Sequence, residues 1–243
     1  MRVAVVADIH ANLTAFRTVR AAWGEVDQVW CLGDVVGYGP DPNECVEELK
    51  QLDHLCVPGN HDWAALGRID TSDFNPAARA AAEWTTSQLT PESRAFLEAL
   101  HQPLERGAFT IVHGSPRQPI WEYLLDTGAA RENFEDFTTS YCLIGHSHVP
   151  LMFAMGPDGR VGGQQLSPEG AFPLRGARRI LNPGSVGQPR DGDPRASFAI
   201  LEIDGEDVSF ELHRIDYDIA DVQARMRKAG LPEPLAARLS FGR

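Results

Sequence analysis

The sequence predicts an α/β fold: a βαβαβ unit around a largely parallel sheet, followed by a second half built from antiparallel strands. Three observations lead there. Before Gly59, three apolar runs each end at a polar turn and hand over to a helix-forming or turn segment. After Pro150 the texture changes to short strands separated by turns. Val208, Phe210 and Leu212 alternate with Ser209, Glu211 and His213, the pattern of an antiparallel strand with one wet face.

Element by element, Val3 to Ala7 is a continuous apolar strand, and Leu13, Phe16, Val19, Arg20 and Trp23 follow at helical spacing. Gln28 to Leu32 repeats the strand, and Asp41-Pro42-Asn43-Glu44 opens a helix with an N-cap acid, proline at the first helical position and glutamate behind it. His54 to Val57 is the third strand. Asn75-Pro76 and Thr90-Pro91 each read as an N-cap followed by proline, starting helices that run to about Leu89 and Leu100. Phe109 to Val112 and Tyr141 to Ile144 are strands ending at His113 and Gly145, and residues 116–137 between them form a partly helical insertion. Beyond Pro150 come strands over Leu151 to Met155, Arg178 to Leu181, Ser197 to Ile203 and Asp207 to Ile215. A helix from about Ile219 to Lys228 stops at Gly230. No linker or repeat divides the chain, so a single domain over 1–243 is expected, with a loosely ordered tail over 231–243.

Composition narrows the function. With 243 residues, 43% hydrophobic and 23% charged, the chain has the make-up of an ordinary globular protein with a sizeable core. A formal net charge of -12 argues against a nucleic-acid or anionic-membrane surface. The four cysteines form no C-x-x-C pair, which suits reduced thiols better than a disulfide frame or a thiolate metal knot. The first residues read as a buried strand rather than a secretory leader, and no run approaches the roughly 20 apolar residues that cross a bilayer, so a cytoplasmic location is expected.

Five short motifs fall in order at strand ends: Asp8-Ile9-His10, Gly33-Asp34, Gly59-Asn60-His61-Asp62, His113-Gly114 and Gly145-His146-Ser147-His148. Any one alone is an ordinary turn. Together they supply carboxylate, amide and imidazole ligands of the kind a two-metal hydrolytic site needs. Residues two apart in a strand share a side, so Asp8 and His10 can converge on one ion, as can His146 and His148 if that segment is extended. Asp34 can share its carboxylate between two ions, one on each oxygen. A ligand role suits Asn60, which leaves His61 free to face substrate with Asp62 placed to orient or stabilise its imidazolium. His113 completes the second ion's set. His54, His101 and His213 fit no motif, and Trp63 and Trp121 are the two tryptophans placed where they could meet substrate.

This series resembles the calcineurin-like metallophosphoesterase superfamily over residues 8–148, and Asn182-Pro183-Gly184-Ser185 through Arg190 is similar to a segment of its small bacterial and archaeal phosphodiesterase branch. The resemblance implies a four-layer αββα sandwich of two facing mixed sheets flanked by helices. It implies one metal on Asp8, His10 and His148, a second on Asn60, His113 and His146, Asp34 bridging, and His61 as catalytic histidine. The implied reaction is attack of a metal-bridging hydroxide on a phosphoester, with manganese the first choice of metal and iron, zinc, nickel or cobalt the others. Arg117, Arg190 and Tyr38, on loops near the matched segments, are the expected substrate contacts. Protein phosphatases of the superfamily carry an arginine soon after Gly-Asp and a glutamate closing Gly-Asn-His-Glu. This chain reads Gly33-Asp34-Val35-Val36-Gly37-Tyr38-Gly39 and ends the motif with Asp62.

The expected substrate is therefore a small phosphorylated molecule, cleaved as a phosphodiester. A phosphomonoesterase or nucleotide pyrophosphatase would use the same site. A non-catalytic metal-bearing interaction module would have no use for His61. A nuclease would need the basic groove this chain lacks. Nothing in the sequence indicates an oligomeric state.

Overall fold

The computed structural model describes residues 1–243. β1 (Arg2–Val6), α1 (Leu13–Ala22), β2 (Gln28–Cys31), α2 (Pro42–Lys50) and β3 (His54–Cys56) build the expected βαβαβ unit, with β1, β2 and β3 parallel neighbours. Asn12 caps α1 by accepting from the Ala15 N–H. Asp41 sits at the N-cap of α2 but does not cap it. Its carboxylate pairs with Arg225 at 2.5 Å.

The segment expected to be a tight turn is instead the first turn of a short helix, α3 (Asn60–Ala65). Asp62 causes this by accepting the Gly59 N–H at 2.9 Å, which satisfies a donor the helix cannot. α4 (Pro76–Gln88) and α5 (Pro91–Ala99) start where expected, with the Asn75 and Thr90 side chains accepting from Ala78 and Ser93.

β4 (Leu104–Arg106) and β5 (Phe109–Ile111) form a hairpin before the insertion. In the insertion only α6 (Thr127–Asn133) is regular. β6 (Tyr141–Leu143), β7 (Pro150–Met155), β8 (Val161–Gln165), β9 (Phe172–Pro173), β10 (Arg178–Pro183), β11 (Ala196–Asp204) and β12 (Asp207–Ile215) complete the strands. β4 and β9 are short, β8 reads Val-Gly-Gly-Gln-Gln with no apolar alternation, and all three lacked a sequence signature. The chain closes with α7 (Ile219–Lys228), α8 (Glu233–Ala237) and a 3-10 turn over Arg238–Phe241.

Two six-stranded mixed sheets result, in the orders β3-β2-β1-β11-β12-β9 and β4-β5-β6-β10-β7-β8. Strand alternation explains how they stack. Val3, Val5 and Ala7 point inward against Phe109, Ile111, Leu143 and Leu181 of the facing sheet, while Ala4 and Val6 point outward to Phe16, Val19 and Val46. Both faces of β1 are buried, hence its unbroken apolar run, and each such valine contributes roughly 1.5–3 kcal/mol. The outer face of the second sheet is covered by the insertion, through Leu124, Ala130, Phe134 and Phe137. All four cysteines are buried and unpaired, as core filler would be.

The tail over 231–243, expected to be loosely ordered, is packed. Leu231, Leu235, Ala236 and Leu239 bury against Val222 and Met226 of α7 and share a cluster with Tyr38. Two prolines obscured the short helix, but the apolar residues it needs are there.

Candidate active site

The parallel strands decide where the motifs meet. β1, β2 and β3 run parallel in one sheet, as do β5, β6 and β10 in the other, and the polar motifs follow their carboxyl ends. Asp8, His10, Asp34, Asn60, His61, His113, His146 and His148 are gathered there, and all are buried.

The backbone around them is unusual. Seven non-glycine residues have positive φ, namely Asp8, His10, Ala11, Asp34, Tyr38, His146 and His148, and every one belongs to this strand-end region. Left-handed backbone disfavours side-chain-bearing residues, so strain concentrated here marks a site whose geometry outweighs local comfort. It also corrects an expectation. His146 (φ 64°) and His148 (φ 58°) are not extended, and they turn to different groups instead of one.

Those groups are Asp8, His10, Asp34 and His148, and Asp34, His113 and His146, with the ligand atoms of each within 4.8 Å of one another. Asp34 belongs to both. Its Oδ1 accepts the His61 backbone N–H at 2.8 Å, whereas its buried Oδ2 has no hydrogen-bond partner. Oδ2 lies 3.6 Å from His10 Nε2 and 3.4 Å from His113 Nε2. One oxygen, not one on each side, faces both groups. Asn60 joins the second group through Oδ1, 3.2 Å from His113 Nε2.

Backbone carbonyls set the tautomers. His10 Nδ1 meets the Val36 carbonyl at 3.2 Å, His148 Nδ1 that of Gln188 at 2.6 Å, and His113 Nδ1 that of Leu32 at 2.8 Å. A carbonyl only accepts, so each Nδ1 carries a proton; the neutral His10 and His148 rings point an Nε2 lone pair inward, and His113 would do so on giving up its second proton. The Nε2 atoms of His10 and His148 then face each other across 3.1 Å. Lone pairs so placed repel without a cation between them. His146 uses Nε2 toward the Trp121 carbonyl at 3.3 Å, which leaves Nδ1 as its free donor.

Charge tells the same story. Burial pushes His10 and His148 well below the ordinary histidine range and His146 down to about 3. Burial pushes Asp8 up to about 8, with Asp34 adding to the rise. Burial also opposes ionisation of Asp34 and His113, but their attraction prevails, carrying His113 up to about 9 and holding Asp34 far below the usual carboxylate range. Neutral His10, His146 and His148, a His113 whose second proton a cation would displace, buried carboxylates and no thiolate make a donor set that fits two first-row or similar hard-to-intermediate divalent cations.

His61 points elsewhere. Its ring lies against Tyr38 at 4.1 Å, Phe74 at 4.9 Å and, edge-on, His10 at 5.0 Å. Its Nδ1 is buried without a partner, and burial pushes its pKa down to about 4. The ring borders a cleft of about 230 Å³ lined by Tyr38, Asn60, Phe74, Trp121 and Tyr123. Gly37, at φ 90°, packs so closely behind the ring that a Cβ would sit 2.8 Å from that of His61.

Asp62 does not back this ring as expected. Its Oδ1 accepts from Val36 N at 3.0 Å and its Oδ2 from Gly59 N at 2.9 Å, tying the Asp34 loop to the start of α3. Its position one residue after His61 puts it on another side of a helical turn. Arg117 is likewise diverted. Both ends of its guanidinium pair with carboxylates, Glu122 and Glu132, within the insertion. Arg190 and Tyr38 do stand at the site, with Tyr38 4.6 Å from the His10 ring.

Sequence inspection missed Tyr123, stacked on His146 at 3.9 Å, and Arg238, over Tyr38 at 4.7 Å. Tyr123 lies in an aperiodic insertion held by Glu122, which accepts from Ser115 and Asn133. Arg238 lies 48 residues beyond Arg190, in the tail. Neither has a local pattern to betray it.

Comparison with known proteins agrees with this arrangement. A crystal structure of a metallophosphoesterase from Sphaerobacter thermophilus is 48% identical, covers 100% of both chains and superposes with a TM-score of 0.90. An uncharacterized protein of Methanocaldococcus jannaschii is 38% identical over 99% of this chain and 98% of its own. A symmetrical bis(5'-nucleosyl)-tetraphosphatase of Pseudomonas putida is 30% identical over 38% of this chain and 34% of its own. The calcineurin-like phosphoesterase superfamily domain matches residues 1–206, and the chain belongs to that superfamily.

Proposed function

We propose that this protein is a dinuclear metal-dependent phosphoesterase that hydrolyses a small organic phosphate as a phosphodiester. The observation that carries the reading is the bare Asp34 Oδ2 between His10 Nε2 and His113 Nε2, with the Nε2 lone pairs of His10 and His148 facing each other beside it, a cluster that calls for positive charge at its centre. Asp8, His10 and His148 would hold one cation, Asn60, His113 and His146 the other, with Asp34 shared. Manganese is our first assignment, with iron, zinc, nickel and cobalt also compatible with the donors. When bound, the cations supply Lewis acidity, withdrawing charge from phosphoryl oxygens and promoting the ionisation of water near neutral pH.

The chain's own residues do the rest. Backbone carbonyls of Val36, Gln188 and Leu32 keep three imidazoles in the donor tautomer. His61, neutral and at the cleft, donates a hydrogen bond to an oxygen of the reacting phosphate and stabilises the charge that grows there. The aromatic cleft excludes water and takes the organic substituent. A free, substrate-facing His61 favours turnover over a metal-bearing interaction module. The tetraphosphatase relative supports a second reading, cleavage of a phosphoanhydride at the same site. Four reduced, buried cysteines suit our assignment of the cytoplasm.

The test is hydrolysis of bis(p-nitrophenyl) phosphate against p-nitrophenyl phosphate across these metals, with elemental analysis. Asp34→Ala should lose both metal and activity, while His61→Ala should keep metal and lose most turnover. A fully active His61→Ala enzyme would remove His61 from the chemistry.

A further inference from the structure

Two arginines stand over the Tyr38 ring, with the Arg190 and Arg238 guanidinium carbons 5.8 and 4.7 Å from its centroid. One comes from the loop after β10 and the other from the 3-10 turn at the end of the chain. Neither has a carboxylate. Arg190 Nη2 reaches only the Tyr38 hydroxyl at 3.4 Å and Gln188 Oε1 at 3.5 Å, and Arg238 donates to that same Gln188 oxygen. The Nε of each is buried without a partner. Elsewhere Arg214 pairs with Asp191 and Arg225 with Asp41, as expected where acidic residues outnumber basic ones 34 to 22; Arg179 in β10 also leaves buried donors without a partner, but it is a single guanidinium and not two on one acceptor.

Two guanidiniums sharing one neutral acceptor repel each other and leave donors unused, a costly arrangement unless an anion completes it. Offsetting Asp8 and Asp34 does not account for it, because the cations proposed above would do that. The pair is one ring away from the reacting centre. Tyr38 packs on His61 at 4.1 Å, and Tyr123, which Arg190 also approaches, stacks on His146 at 3.9 Å.

We propose that Arg190 and Arg238 form a subsite for a second phosphate, joined through a bridging oxygen to the one being cleaved, so that the substrate is a phosphoanhydride. This rests on the second of the hydrolase readings above, cleavage of a phosphoanhydride, and specifies its leaving group. The oxygen of water bonds to the first phosphorus, the bridging oxygen leaves with the bond's electron pair on the second phosphate, and the water's two protons pass to solvent. The guanidinium forks hold the departing phosphate as its charge grows.

The probes are P1,P2-diphenyl pyrophosphate, whose leaving group is phenyl phosphate, and bis(p-nitrophenyl) phosphate, whose leaving group is a phenolate. Arg238→Gln should lower the ratio of kcat/KM on the first to kcat/KM on the second by roughly 10- to 100-fold, and Arg238→Lys should recover part of it. Isothermal titration of metal-free protein with methylenediphosphonate should show weaker binding to Arg238→Gln than to wild type. A ratio that stays constant in active enzyme, whether both activities fall together or neither changes, overturns the subsite. If wild type cleaves neither probe while Arg238→Gln still loses diphosphonate affinity, the hydrolase reading fails and the subsite stands.

Discussion

Replacing Asp34 by asparagine separates the metal-bridging role proposed for the carboxylate from its part in the fold. In the folded chain Oδ1 accepts the His61 N–H at 2.8 Å, and an asparagine oxygen can keep that bond. The other position becomes an NH₂ group facing His113 Nε2, which the carboxylate oxygen approaches at 3.4 Å. Metal-free, the substitution exchanges a buried ion pair for a neutral hydrogen bond, because His113 loses the charge that Asp34 sustains. Metal-free stability should therefore change by no more than about 2 kcal/mol. The metal-bound state is different, since an amide donor cannot sit between two cations. In wild type, cation at a hundred times its Kd adds about 2.7 kcal/mol. For a chain of this size that raises Tm by roughly 5–10 °C. Differential scanning calorimetry in chelator and then in excess manganese reads both quantities. The expected result is a small metal-free difference and a manganese shift below about 2 °C for Asp34→Asn. A variant that kept the full manganese shift, or that melted far below wild type in chelator, would refute the placement of Oδ2 at the shared position.

Two further outcomes follow from the same structure. Asp62→Ala removes acceptors from two buried N–H groups, Val36 and Gly59, at about 1–3 kcal/mol each, so it should lower metal-free Tm and loosen the Asp34 loop. If it cost turnover alone, with an unchanged melt, Asp62 would be chemical after all. Glu48 carries an acid-sensitive share of stability. Burial opposes its ionisation, but Arg20 and Arg17 outweigh that and hold its carboxyl below the ordinary glutamate value of 4.5. A depressed pKa stabilises above 4.5 and loses that effect as pH falls through the folded value. The Tm gap between wild type and Glu48→Gln should thus be widest near neutral pH and shrink as the pH falls below 4.5, and a gap that widened in acid would contradict the ion pairs.

Much of the fold was legible because it is encoded locally. Unbroken apolar runs announce strands buried on both faces, and Asn75-Pro76 and Thr90-Pro91 announce helix starts whose capping bonds then form as drawn. The five motifs were legible for a similar reason, as each is a short segment of ligand types at a strand end. What escaped lacked a local signature. β9 has two residues and is held only by β12, and the tail folds only because α7 and Tyr38 offer it an apolar surface. The site's inner geometry escaped as well. Strand alternation would send His146 and His148 to one ion were that segment extended, but both have positive φ and they face different groups. Adjacency placed Asp62 behind His61, yet helix geometry gave its oxygens to Val36 and Gly59.

By itself the sequence determined which chemistry is available here: carboxylates, an amide and imidazoles, with one motif histidine, His61, beyond the proposed ligands, mounted at strand ends of an α/β sandwich. Only the tertiary structure decided which oxygen of Asp34 is bare, which nitrogen of each histidine faces inward, and that Arg117 is spent on glutamates while Arg238 stands over Tyr38. Residue type is a property of one position, but a lone pair's direction and a charge's partner depend on backbone and side chains brought in from far along the chain.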